Sequence, residues 1–230
     1  MPLLPVRGGK NVRTWAGGRS RRAGRTVVVL EPYVRDTSVV AAYADDASLG
    51  YARSLYFEAN GFCEGGYEAS WVRLQAGPVP LYFPNTASRV RSVRLHDLHH
   101  VLTGYDTTWT GESEIGAWEI GSGCADHWAA WLLNFNAVAI GLAIAPQATF
   151  HAFVRGRRTR NLYGGEFEEA LLGERVGDMR RRLGLDRPTE VVPGDRARFV
   201  LVSIVSVATL AAVTALTVAP MLALVFWLRA

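Results

Sequence analysis

Apolar positions recur along this chain mostly at helical spacing. Between residues 36 and 75, Tyr51, Leu55, Tyr56 and Phe62 are placed to form one buried stripe of a helix. Pro78, Pro80 and Pro84 then make residues 77–84 an extended connection. A clearer helix follows. Asn85 or Thr86 can cap it, Gly104 can end it, and Val90, Val93, Leu98, Val101 and Leu102 supply its apolar positions. After a short loop, Thr110 is placed to cap the next helix, which opens at Gly111 and Glu112. Residues 128–145 are strongly apolar, interrupted by Asn134 and Asn136 and closed by Pro146. That pattern favours a buried core helix over a membrane span. Residues 166–184 predict an amphipathic helix with Phe167, Leu171, Leu172, Val176, Met179 and Leu183 on one side and Gly184 at its end. The run 26–30 fits a strand or the start of a helix.

The last segment is of another kind. From Phe199 to Leu228 there is no charged residue, over a length well beyond the roughly 20 residues a bilayer requires. Nothing else in the chain is large enough to cover such a helix on every face. Residues 199–228 therefore read as a transmembrane helix, with Trp227 at an interface. Arg196 and Arg198 stand just before it and Arg229 just after, which favours the cytoplasmic side for the preceding domain. The expected architecture is all-α: a single helical domain over residues 26–192, then one C-terminal span in the membrane.

Charge changes the picture at the other end. The formal net charge is +4, yet residues 1–25 hold Arg7, Lys10, Arg13, Arg19, Arg21, Arg22 and Arg25 with no acid. Beyond them acids outnumber bases, so the folded part lacks the basic face of a nucleic-acid binder. The Gly- and Arg-rich tail reads as disordered, either drawn to an anionic membrane surface or a solvated leader. The apolar run after those charges, residues 26–30, is too short for the h-region of a secretory signal, which excludes one. Two cysteines, Cys63 and Cys124, are too few for a disulfide framework and read as reduced residues in or near the core.

The chemistry concentrates in the helix after residue 85. His96, Asp97, His99 and His100 fall within five positions. At about 100° per residue, His96, His100 and Asp97 share one arc of about 100°, whereas His99 points about 60° to the other side. Two imidazoles and a carboxylate on one arc can grip a metal ion, and Glu112, the first acid of the following helix, can close the set. Zinc accepts such ligands, and so do iron(II) and manganese; spacing does not choose among them. A polar surface face, or an internal hydrogen-bonded set without metal, would leave the same pattern. Other arrangements are missing: there is no H-E-x-x-H, no pair of Glu-x-x-His motifs, no G-x-S-x-G and no P-loop.

His96-Asp97-x-x-His100, eleven residues and then Glu112 resembles the signature of the coenzyme Q biosynthesis family Coq-four. The surrounding "HDLHHVLTGYDTTWTGESEIGAWE" and the later "YGGEFEEALLGERVGDMRRRLGL" are similar to that family's metal helix and ending, so the resemblance covers residues 85–188. It implies an all-helical fold, a divalent metal taken as zinc, a bound prenyl lipid, and oxidative removal of the C1 carboxyl of a prenylated quinone precursor with hydroxyl in its place. Only His96, Asp97, His100 and Glu112 carry over as functional residues. Residues 26–84 do not follow the family pattern, and the C-terminal span departs from a family that is peripheral to the membrane. Two further readings remain. One is a non-catalytic prenyl-lipid scaffold that organises other quinone-biosynthesis enzymes. The other is a lipid hydrolase, for which Asp126 and His127 would have to supply the base.

Overall fold

The computed structural model describes residues 27–30, 43–62, 65–75 and 80–229. The basic tail, Cys63, Pro78 and the first part of the predicted 36–75 helix lie outside them. The structure is mostly helical, with seven α-helices among the described residues: α1 (Leu49–Asn60), α2 (Ala87–Thr103), α3 (Trp109–Ser122), α4 (Trp128–Ile144), α5 (Pro146–Gly156), α6 (Val176–Leu183) and α7 (Asp195–Arg229). A small sheet accompanies them. Strand β1 (Val27–Leu30) runs parallel to β2 (Trp71–Gln75), which pairs antiparallel with β3 (Pro80–Pro84). The apolar run 26–30 thus resolves as a strand, and the expected connection over 77–84 ends in one.

Helix α1 is shorter than the pattern suggested and buries another face. The Ser48 hydroxyl accepts from the amide of Tyr51, and Gly61 ends the helix at a φ of 67°. The buried stripe runs through Leu49, Ala52 and Tyr56, while Tyr51 is 60% exposed. Leu49, Ala52 and Tyr56 repeat at three and four residues, which returns them to one side. Tyr51 and Leu55 fall on another.

Helix α2 keeps its expected ends. The Thr86 hydroxyl accepts from the amide of Arg89, and Gly104 closes the helix at a φ of 79°. Helix α3 starts earlier than expected, capped by Thr108 rather than Thr110. The cause is local: Asp106 Oδ1 accepts from both the amide and the hydroxyl of Thr108, which turns the chain there. Helices α3 and α5 then pack almost backbone to backbone. A methyl group on Gly156 would overlap the carbonyl of Trp118, and one on Gly121 would overlap that of Phe153.

The stretch expected as one amphipathic helix over 166–184 is two pieces, a 3₁₀ turn (Glu169–Gly173) and α6. Between them the backbone is extended, because the segment before α1 pairs with it. The Leu49 amide donates to the Glu174 carbonyl, and the Val176 amide to that of Ala47. Val176, Met179 and Leu183 still reach the core. Tertiary pairing thus overrides a helical pattern that the side chains obey.

Helix α4 buries Ala129, Ala130, Asn134, Val138 and Ala139 but leaves Trp128 at 60% and Ile144 at 51% exposure. It is therefore a core helix, as its sequence suggested, but one covered on a single side. Helix α7 packs its first turns on α4 and α5, with Phe199 against the rings of Phe150 at 5.3 Å and Phe153 at 5.4 Å. Asp195 at its start is buried, accepting from Arg158 at 2.6 Å and from the Val192 amide at 2.9 Å. Beyond that joint α7 is long and apolar enough to cross a membrane, with Leu201, Ile204 and Leu216 exposed.

Candidate metal centre

Three of the four sequence-predicted ligands converge. His96 and His100 lie one turn apart on α2, and Glu112 reaches them from the first turn of α3. The two imidazole Nε2 atoms are 3.1 Å apart. Glu112 Oε2 is 3.6 Å from His96 Nε2, and Oε1 is 3.5 Å from His100 Nε2. The ligand atoms of these three residues all lie within 4.8 Å of one another. Zinc–ligand bonds of about 2.0–2.2 Å give tetrahedral edges of roughly 3.3 Å, so one cation fits this triangle.

The imidazoles are set for that role by what their far nitrogens touch. His100 Nδ1 is 2.9 Å from the carbonyl of Tyr105, so Nδ1 carries the proton and Nε2 a bare lone pair. His96 Nδ1 is 2.9 Å from a carboxylate oxygen of Glu119 and is fixed in the same way. Two lone pairs then face each other across 3.1 Å, an arrangement that calls for a proton or a metal ion between them. In the metal-free site the proton resides on His96. Burial opposes its charge, but Glu119 and Glu112 outweigh burial and raise its pKa. Burial pushes His100 down to about 4, which leaves it neutral. Glu112 is held below the ordinary range; burial opposes this, and His100 and His96 overcome it.

Asp97 is not part of the triangle. Its Oδ2 accepts from the hydroxyl of Tyr67 at 2.5 Å, and the residue borders the same cavity as the ligands. Burial raises its pKa to about 6.

Glu119, which the sequence reading passed over, organises the site from behind. It is fully buried and accepts on all sides: from His96 and His99 on Oε1, and from Asn134 and Tyr163 on Oε2. Burial alone would favour its neutral form, but His96 and His99 hold it ionised. His99 in turn accepts from the Leu162 amide at its Nε2, 3.0 Å away. It braces Glu119 and has no nitrogen left for a metal. A signal was present, since Glu119 lies seven residues after Glu112 and so on the same face of α3.

Asp126 and His127 do not form an acid–base pair. Asp126 is on the surface, 2.9 Å from Arg91. His127 is buried, with Nδ1 3.2 Å from the Ser92 hydroxyl, and its Nε2 is 4.0 Å from Asp126, too far for a hydrogen bond. Cys124 is a free, buried thiol whose ionisation burial suppresses.

In front of the ligands lies a cavity of about 290 Å³. One wall carries His96, Asp97 and Glu112. Helix α4 contributes Ala130, Leu133, Ala137 and Ile140 at helical spacing, together with Asn134 and Asn136. The size and the mixture of apolar wall with a few convergent polar groups suit a small organic ligand. No family model matches the chain, and neither a curated protein nor a solved structure matches it.

Proposed function

We propose that this chain is a divalent-metal-dependent enzyme of ubiquinone or related quinone biosynthesis, acting on a prenylated hydroxybenzoate-type precursor. The observation that carries this reading is the convergence of the His96, His100 and Glu112 ligand atoms within 4.8 Å of one another, beside a cavity that Ala130, Leu133, Ala137 and Ile140 of α4 help to line. The His-Asp-x-x-His and Glu spacing supplies the resemblance to the Coq-four family. His96, His100 and Glu112 would hold the ion, zinc first, with iron(II) or manganese compatible with the same ligands. A bound cation there would act as a Lewis acid on the head-group oxygens.

The chain's own residues do the rest. Three protein ligands leave a coordination position open, which favours an enzyme over a scaffold with a purely structural metal. Helix α4 offers its small and aliphatic side chains to the prenyl tail, and Asp97 with Tyr67 borders the head group. The reaction replaces the C1 carboxyl by hydroxyl: carbon dioxide leaves and one oxygen atom enters from an external oxygen donor. Helix α7 anchors the domain in the bilayer where such precursors reside, with the domain on the cytoplasmic side. Other quinone-biosynthesis enzymes are the natural partners.

The test is complementation of a strain lacking this step. The Glu112→Gln variant should lose bound metal and quinone production while still co-purifying with prenyl lipid. Full quinone production by a variant shown to lack the metal overturns the proposal. Loss of prenyl-lipid binding together with quinone, at unchanged metal content, favours the scaffold.

A further inference from the structure

Arg89 is the single Lys or Arg side chain on the cavity wall among the described residues. It stands seven residues before His96, on the same face of α2 and about 10 Å along the axis. Its guanidinium is held in place on one side. Nη1 donates to Asn85 Oδ1 at 2.7 Å, and the Asn85 amide nitrogen is turned towards the carbonyls of Ala69 at 2.8 Å and Gly66 at 3.2 Å. That leaves only the Asn85 oxygen to face the arginine. Phe83, also on the cavity wall, lies under the guanidinium with its ring centre 5.8 Å from Cζ.

The other edge is unused. Nε is buried and has no hydrogen-bond partner among the described residues. Because Nη1 sits on the Cδ side of the guanidinium, the bond to Asn85 leaves the Nε–Nη2 edge without a hydrogen-bond partner among the described residues. That edge is the fork that matches a carboxylate. Of the two acids that share the cavity with Arg89, Asp97 already accepts from Tyr67 and Glu112 faces the imidazoles of His96 and His100. An arginine cannot shed its proton to relieve this, so a buried Nε–H without a partner is costly to keep. Arg53 and Arg94 also have a buried Nε without a partner, but each lies over two aromatic rings and neither borders the cavity.

We propose that Arg89 is the receptor for a carboxylate on the ligand of this cavity, so that the site takes a lipid acid in preference to the matching neutral lipid. The inference rests on reading the cavity as a head-group site. A product that has lost its carboxyl no longer pairs with Arg89 and is released.

The experiment is calorimetric titration of the full-length, zinc-loaded protein in detergent with 3-geranyl-4-hydroxybenzoate and with its methyl ester, near neutral pH. Wild type should bind the acid roughly tenfold or more tighter than the ester, the usual size of a hydrogen bond to a charged group. Arg89→Met should abolish that preference by weakening the acid alone, with zinc content unchanged. A wild type without the preference, or an Arg89→Met protein that retains it, overturns the proposal. Should Arg89→Met fail to fold, Arg89→Lys keeps the charge without the fork, and a preference equal to wild type overturns it. An acid preference that depends on Arg89 in a protein that never supports quinone production sinks the quinone reading and leaves the receptor standing.

Discussion

Replacing Glu119 by Gln separates the roles of the buried carboxylate. Oε1 accepts from His96 at 2.9 Å and His99 at 2.6 Å, and Oε2 accepts from Asn134 at 2.5 Å and Tyr163 at 3.0 Å. A glutamine has one oxygen for these two stations. If that oxygen stays with the imidazoles, the new amide nitrogen faces the Asn134 amide and the Tyr163 hydroxyl. The hydroxyl can rotate to accept. The Asn134 amide can turn only by abandoning the Cys124 sulfur, 3.5 Å from its nitrogen. One buried donor is then left without a partner, which costs about 1–3 kcal/mol of stability in the metal-free protein. His96 also loses the anion that holds its Nδ1 proton. Loss of such an outer partner typically weakens metal binding about 10–100-fold, or about 1.4–2.7 kcal/mol. Denaturant unfolding of the metal-free protein measures the first quantity, and competition with a chromophoric chelator measures the second. Wild-type zinc affinity in Glu119→Gln would refute the claim that Glu119 positions His96 for the metal, whatever happens to stability.

Two other outcomes follow from the same structure. In the metal-free site His96 is held protonated above the ordinary imidazole range, so a proton competes with zinc there; affinity should therefore rise with pH from about 6.5 upward, by about tenfold per unit while one proton is displaced. A chelator titration that is flat between about pH 6.5 and pH 8 contradicts this. A chain ending at Ser206 keeps Phe199 and Val202 on the core but loses the exposed apolar length of α7, and it should be released from membranes by a salt wash; retention equal to the full chain refutes the anchor.

What the sequence made legible divides along a physical line. Features set by neighbours in the chain were readable: the Thr86 and Gly104 ends of α2, the single arc of His96 and His100, and the uncharged length of α7. Features set by distant partners were not. Thr108 and Thr110 are equally good caps until Asp106 turns the chain onto the first. The Phe167-to-Leu183 pattern is helical in its side chains, yet backbone pairing with residues 45–49 splits it. Asn134 read as an interruption of an apolar helix, and its purpose appears only when Glu119 arrives from α3. Asp97 shares the arc of the ligands, but Tyr67, thirty residues earlier, takes its carboxylate.

The joint at the start of α7 has a consequence for how the protein searches for its ligand. Asp195 is locked by Arg158 and by the Val192 amide, and Phe199 is wedged between Phe150 and Phe153. A helix seated in this way is a rigid mast and not a tether. Once such a helix is planted in a bilayer, the domain cannot tumble freely and keeps one attitude to the surface. For the membrane-resident ligand proposed above, encounter then becomes a two-dimensional process of fixed attitude, in which no time is lost to reorientation.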